Sequence, residues 1–172
     1  MPQTLGAFLA IMAVMTFSLN YHRATIRSQQ TAINSEMEVM ANAVASDVMN
    51  YVASKPFDAR TADNTVDRYN RNTDLLTSQS AFGSCVVFEN CNDIDDFHAI
   101  PSFQRPFEVE PGKEMDFDVS IEVQYVDDSG NVSASPTWVK EVTIHVSNST
   151  SVKGVPILNH PLRLKRQFSP QW

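Results

Sequence analysis

The chain has 172 residues, 42% hydrophobic and 19% charged, with a formal net charge of −7. That is room for one globular domain plus an extended element, and too apolar a mixture for wholesale disorder. In the first 55 residues Arg23, Arg27 and Lys55 balance Glu36, Glu38 and Asp47, so the acidic excess lies after Lys55; such a body excludes general nucleic-acid binding, which needs a positive surface to displace counterions.

Residues 5–19 read LGAFLAIMAVMTFSL, an apolar run without charge. It is shorter than the roughly 20 residues of a solitary membrane span. A cleavable signal peptide is the first rival, but no Lys or Arg precedes the run and bulky polar residues, Asn20-Tyr21-His22-Arg23, follow it. The run is therefore expected to stay in the mature protein. Beyond it, no proline occurs between Pro2 and Pro56 and no glycine between Gly6 and Gly83. Ile26, Ile33, Met37, Met40, Val44, Val48 and Tyr51 or Val52 recur at helical spacing and define one apolar stripe. Arg27, Asn34, Glu38, Asn42 and Asn50 take the opposite side. Pro56 ends the helix, because a proline pushes its predecessor out of the α region. A single helix over about residues 3–54 would measure roughly 75–80 Å at 1.5 Å per residue. Its first part, 1–25, is apolar on all sides and must be surrounded by lipid or protein. Its second, 26–55, needs cover on one side only.

Residues 56–114 read as an irregular region. Within it, 56–82 is a long polar loop with a short helical turn expected around Thr65–Tyr69. Cys85 and Cys91 are separated by five intervening residues, and in an oxidising compartment they are expected to close a small loop. Free thiols are the next alternative; a metal pair is disfavoured because no second Cys/His pair stands at ligand spacing. Residues 115–172 are expected to form an antiparallel sheet. Phe117, Val119, Ile121, Val123 and Tyr125 alternate with polar residues, Asp127 to Asn131 is a turn signal, and Trp138, Val142, Ile144 and Val146 alternate with Val139, Glu141, Thr143 and His145. Val155, Ile157, Leu162, Leu164 and Phe168 suggest one or two further strands. The expected fold is α+β: a β-meander whose dry side covers the second half of the helix. The helix–sheet core is then Ile33, Met37, Met40, Val44, Val48, Val119, Ile121, Val123, Val142 and Ile144.

An apolar N-terminus, a helix of about fifty residues and a C-terminal antiparallel sheet resemble the type IV pilin and pseudopilin superfamily. Locally the likeness rests on MPQTLGAFLAIMAVMTFSL, on the helix running into NYVASKPFDART, and on CNDIDDFHAI, which resembles a phrase of the minor-pilin branch. The departures are a missing basic leader, Leu5 where the family usually has Glu at the fifth mature position, and His22 near where many members have a kinking proline. Without that proline, melting around Thr16–Tyr21 stays open. The resemblance implies an extracellular filament subunit, anchored in the inner membrane before pilus assembly machinery stacks it on copies of itself. Leu5, Phe8, Leu9, Ile11, Met12, Met15 and Phe17 would then pack in the filament core, where Gly6, Ala7, Ala10 and Ala13 let helices approach closely.

Asn92, Asp93, Asp95, Asp96 and His98 are the densest set of oxygen and nitrogen ligands. Asp93, Asp95 and Asp96 are a weak calcium candidate, since secretion pseudopilins of the resembled family bind calcium in loops; the glycine and distal Glu of a full calcium loop are absent. An acidic surface loop that meets Arg or Lys of a neighbour is the preferred reading, with Arg163, Lys165 and Arg166 as a plausible complement. Otherwise no cofactor is expected. Asn131-Val132-Ser133 and Asn148-Ser149-Thr150 match the glycosylation pattern, which is common by chance. No Ser/His/Asp arrangement or glycine-rich phosphate loop marks an enzyme. A minor pilin or secretion pseudopilin, a membrane-anchored periplasmic binding module, and an enzyme using Asp95 and His98 are the rival classes.

Overall fold

The computed structural model describes residues 2–83, 85–149, 158 and 160–171. Val155, Ile157 and Thr150 lie outside the described residues, as does Met1. The fold is α+β, a long N-terminal helix and an antiparallel sheet packed against its later turns. The chain divides into two compact units, Met1–Met37 and Glu38–Trp172.

Helix α1 runs over Pro2–Ala53 without interruption. Residues 16–21 are helical, and the Thr16 hydroxyl donates back to the carbonyls of Met12 (3.0 Å) and Ala13 (2.9 Å), so a weak helix former is accommodated without melting. From Leu5 to Ile33 every side chain is exposed. In the second unit Ala41, Val44, Ala45, Val48, Met49 and Val52 are buried, with the three-and-one spacing of a single helical face. Met37 is buried as well, and Met40 is half-buried on the flank of the stripe. Ile33, expected in this core, is 54% exposed, and Ile26 is exposed too. Both keep the sequence period of the stripe without its burial. The helix ends in a tightened turn, with Ser54 N–H bonded to Asn50 and Tyr51 carbonyls and Lys55 N–H to Val52, before Pro56 redirects the chain.

The connecting region holds more order than its polar composition suggests. No helical turn forms at Thr65–Tyr69; instead α2 (Ala59–Ala62) follows Asp58, which caps it, and 3-10 turns occur at Thr73–Leu75, Gln79–Ala81, Phe88–Asn90 and Asp95–Phe97.

The sheet comprises β1 (Phe103–Glu110), β2 (Lys113–Val126), β3 (Val132–Ser133), β4 (Lys140–Asn148) and β5 (Leu162–Phe168). Its order is β1-β2-β4-β5, all antiparallel, with the short β3 also on β2. The sheet therefore begins at Phe103, not at 115. The β1–β2 turn carries Pro111 and Gly112, whose φ of 79° suits the third position of a type II turn. Phe117, Val119, Ile121, Val123 and Tyr125 of β2 are buried, as are Val142, Ile144 and Val146 of β4. Strand β4 opens at Lys140, so Trp138 and Val139 precede it.

Candidate functional site

Two features stand apart from ordinary packing: an exposed apolar helix and a buried charge cluster. They lie in different units.

In the first unit Leu5, Phe8, Leu9, Ile11, Met12, Val14, Met15, Phe17 and Leu19 are all exposed, Phe17 to 75%. These positions surround the helix axis, so no single face is set aside for one neighbour. α1 is long and apolar enough to cross a membrane.

In the second unit the side chain of Lys140 is 0% exposed. Its Nζ donates to Asp95 Oδ1 (2.5 Å), to Asp58 Oδ2 (3.1 Å) and to the Phe57 carbonyl (2.7 Å). The ammonium also lies 4.4 Å from the ring centre of Phe57 and 5.3 Å from those of Phe82 and Tyr125, a cation–π environment. Both carboxylates are buried. Asp58 is further held by the Arg60 N–H (2.9 Å), the Thr77 N–H (3.0 Å) and the Thr77 hydroxyl (3.2 Å). The Tyr125 hydroxyl donates to the Thr77 carbonyl at 2.8 Å, closing the aromatic side. Burial, with Asp58, Asp95 and Asp93 nearby, holds the Tyr125 phenol well above its ordinary value.

The segment CNDIDDFHAI is tied in from several directions. Ile94 N–H bonds to the Pro56 carbonyl (3.0 Å), Ala99 N–H to the Ile121 carbonyl (3.2 Å), and Val123 N–H to His98 Nδ1 (3.2 Å). It thus extends the β1 edge of β2, with an imidazole taking the place of a backbone acceptor. Gly83 closes over it: its N–H bonds to the Asp95 carbonyl (3.0 Å), its φ is 78°, and an added Cβ would stand 2.4 Å from the His98 carbonyl oxygen. Cys85 and Cys91 are joined as a disulfide, with Cα atoms 5.4 Å apart.

The acidic residues are not a surface loop. Asp93, Asp95 and Asp96 are buried, and the cation that Asp95 meets is Lys140 of the same chain. Nor do they converge as calcium ligands. Asp95 turns to Lys140, Asp93 Oδ1 accepts the Asp96 N–H (3.1 Å), and Asp96 Oδ2 accepts the Asn92 N–H (2.8 Å). Among the described residues no group of three or more His, Cys, Asp or Glu is placed to hold a metal. Burial, and then the charges of Asp95 and Asp96, push the Asp93 carboxyl up to about 7. Burial also raises Asp95, against the opposing pull of Lys140. Of the basic residues offered as a complement, Lys165 pairs with Glu141 (2.7 Å), and the Arg166 guanidinium lies 5.2 Å from the ring centre of Phe168. The Asn148 amide is engaged on both sides by the backbone of Leu158.

Lys140 escaped notice in the sequence although a signal was present. It occupies the same register as Val142, Ile144 and Val146, and a lysine on the dry face of a strand requires a buried counter-ion. The partners come from the two phrases PFDART and CNDIDDFHAI, which the fold brings together around it. The chain matches no family model, no curated protein and no solved structure. Likeness to the pilin superfamily is therefore one of shape: long apolar helix, antiparallel sheet and disulfide.

Proposed function

We propose that this chain is a structural subunit of an extracellular type IV pilus-like filament. It waits in the inner membrane through the first part of α1, and assembly machinery then stacks it on earlier copies. The observation that carries this reading is the exposure of Leu5 to Leu19 on all sides of a helix whose later turns are built into a folded head. A helix apolar all round needs lipid or protein cover along its whole circumference, and a filament core of identical helices supplies it. About ten such side chains, at roughly 1.5–3 kcal/mol each, represent on the order of 15–30 kcal/mol of burial relative to water. Most of that only replaces lipid contact, so assembly depends on close packing, which Gly6, Ala7, Ala10 and Ala13 favour. The proposed role is scaffolding, with no catalysis.

Cysteine crosslinking in the source cells tests the proposal. Met12→Cys and Met15→Cys variants, oxidised in sheared surface material, are expected to give ladders of the chain with itself. Crosslinks confined to the membrane fraction, with no surface material containing the chain, would refute it.

A further inference from the structure

Lysine 140 and its two carboxylates have the composition and geometry of a covalent crosslinking site. A primary amine touches a carboxyl oxygen of Asp95, a second carboxylate touches the same nitrogen, and three aromatic rings face it. Water has no access, since neither Lys140 nor Asp58 exposes any surface and Asp95 only 3%. Isolating an ammonium and two carboxylates from water is costly even when they are paired. Joining amine to carboxyl removes two of those charges and leaves an amide in the same place. Holding the partners in contact replaces the bimolecular encounter that makes uncatalysed amide formation slow in water.

We propose that Lys140 and Asp95 form an intramolecular isopeptide bond, with Asp58 as the proton-transferring catalytic residue. One ammonium proton passes to the Asp95 carboxylate, leaving a neutral amine beside a neutral acid. The Lys140 Nζ lone pair attacks Asp95 Cγ and the C–N bond forms. Asp58 takes a second proton from the nitrogen and delivers it to the departing hydroxyl. The C–O bond breaks, one water leaves, and Asp58 ends as the carboxylate it began as. No oxidant, cofactor or activated donor is needed.

The two acids differ in ways that set their roles. Asp58 accepts three protein hydrogen bonds besides that of Lys140, which fix both of its oxygens beside the amine, where it can relay a proton. Burial favours the protonated form of Asp95, the form with a leaving hydroxyl. The product would staple the DIDD turn to the first residue of β4, a central strand, beside the disulfide at Cys85 and Cys91. A head so closed cannot be pulled open at that point without breaking a covalent bond. The inference rests on the head alone and stands or falls independently of the filament proposal.

Intact-mass spectrometry of the full chain, denatured and with its disulfide reduced, is the test. The expected result is a deficit of one water against the sequence mass, with a branched proteolytic peptide joining Lys140 to Asp95. Lys140→Arg and Asp58→Ala should show the full sequence mass. Asp95→Asn should still react, losing one ammonia rather than water, so a positive signal comes from a variant that keeps the site's shape. A wild-type chain at full sequence mass overturns the proposal. A branched peptide joining Lys140 to Asp58 overturns the assignment of roles.

Discussion

Replacing Val48 and Ile33 separately by alanine distinguishes where the helix stops serving the head and starts serving something else. Val48 is 0% exposed on the buried face of α1, and its two lost methyl carbons leave a cavity bounded by a packed interior. Each buried methylene is worth about 0.8 kcal/mol in transfer, and partial collapse of the cavity adds to this, so Val48→Ala should cost about 1.5–3 kcal/mol. Ile33 lies on the same sequence stripe but is more than half exposed, so Ile33→Ala should change head stability by less than about 0.5 kcal/mol. Urea unfolding of the full chain in detergent, followed by tryptophan fluorescence so that the head is read and not the helix, gives both numbers. Equal losses at the two sites would refute the placement of the core boundary near Met37.

Three further outcomes follow from the head. Asp93 keeps its proton to about pH 7 when folded and loses it near 3.8 when unfolded, so folding takes up a proton between those values. Stability should fall as pH rises through that window, and Asp93→Asn should flatten the profile and gain on the order of 1–3 kcal/mol at pH 8 over wild type; parallel profiles for the two proteins would contradict this. Replacing both Cys85 and Cys91 by serine opens a loop with a sequence separation of 6 and should cost about 2 kcal/mol, measurable as a lower urea midpoint with an unchanged slope. Gly83→Ala forces a side chain into a left-handed conformation and against the His98 carbonyl. It should destabilise by roughly 1–3 kcal/mol or more, and a thermal midpoint equal to wild type would show that the 83–98 contact is not held.

How much of this was legible in the sequence differs by element, for physical reasons. Helix α1 was readable because no proline or glycine breaks it between Gly6 and Pro56, and β2 because its alternation is strict. The helix–sheet boundary was not, since an apolar stripe records which residues face one way but not how far a partner extends; Ile26 and Ile33 keep the period and lose the cover. Strand β1 was hidden by its place at the sheet edge. Its alternate side chains are only half-buried, Arg105 sits at an inward register, and Pro106 is tolerated there. The charge cluster was hidden by distance along the chain. Asp58, Asp95 and Lys140 are individually unremarkable, and acidic residues crowded at 93–96 read as solvated until the fold supplies Lys140.

Electron microscopy of fibres sheared from the source cells weighs most heavily on the assembly account. A helical reconstruction should show this chain repeating, with Phe8, Met12 and Met15 of each copy enclosed by the helices of its neighbours and the sheets facing outward. A detergent-solubilised monomer from cells bearing no fibre that contains it, or a reconstruction with those side chains facing solvent, would contradict the account.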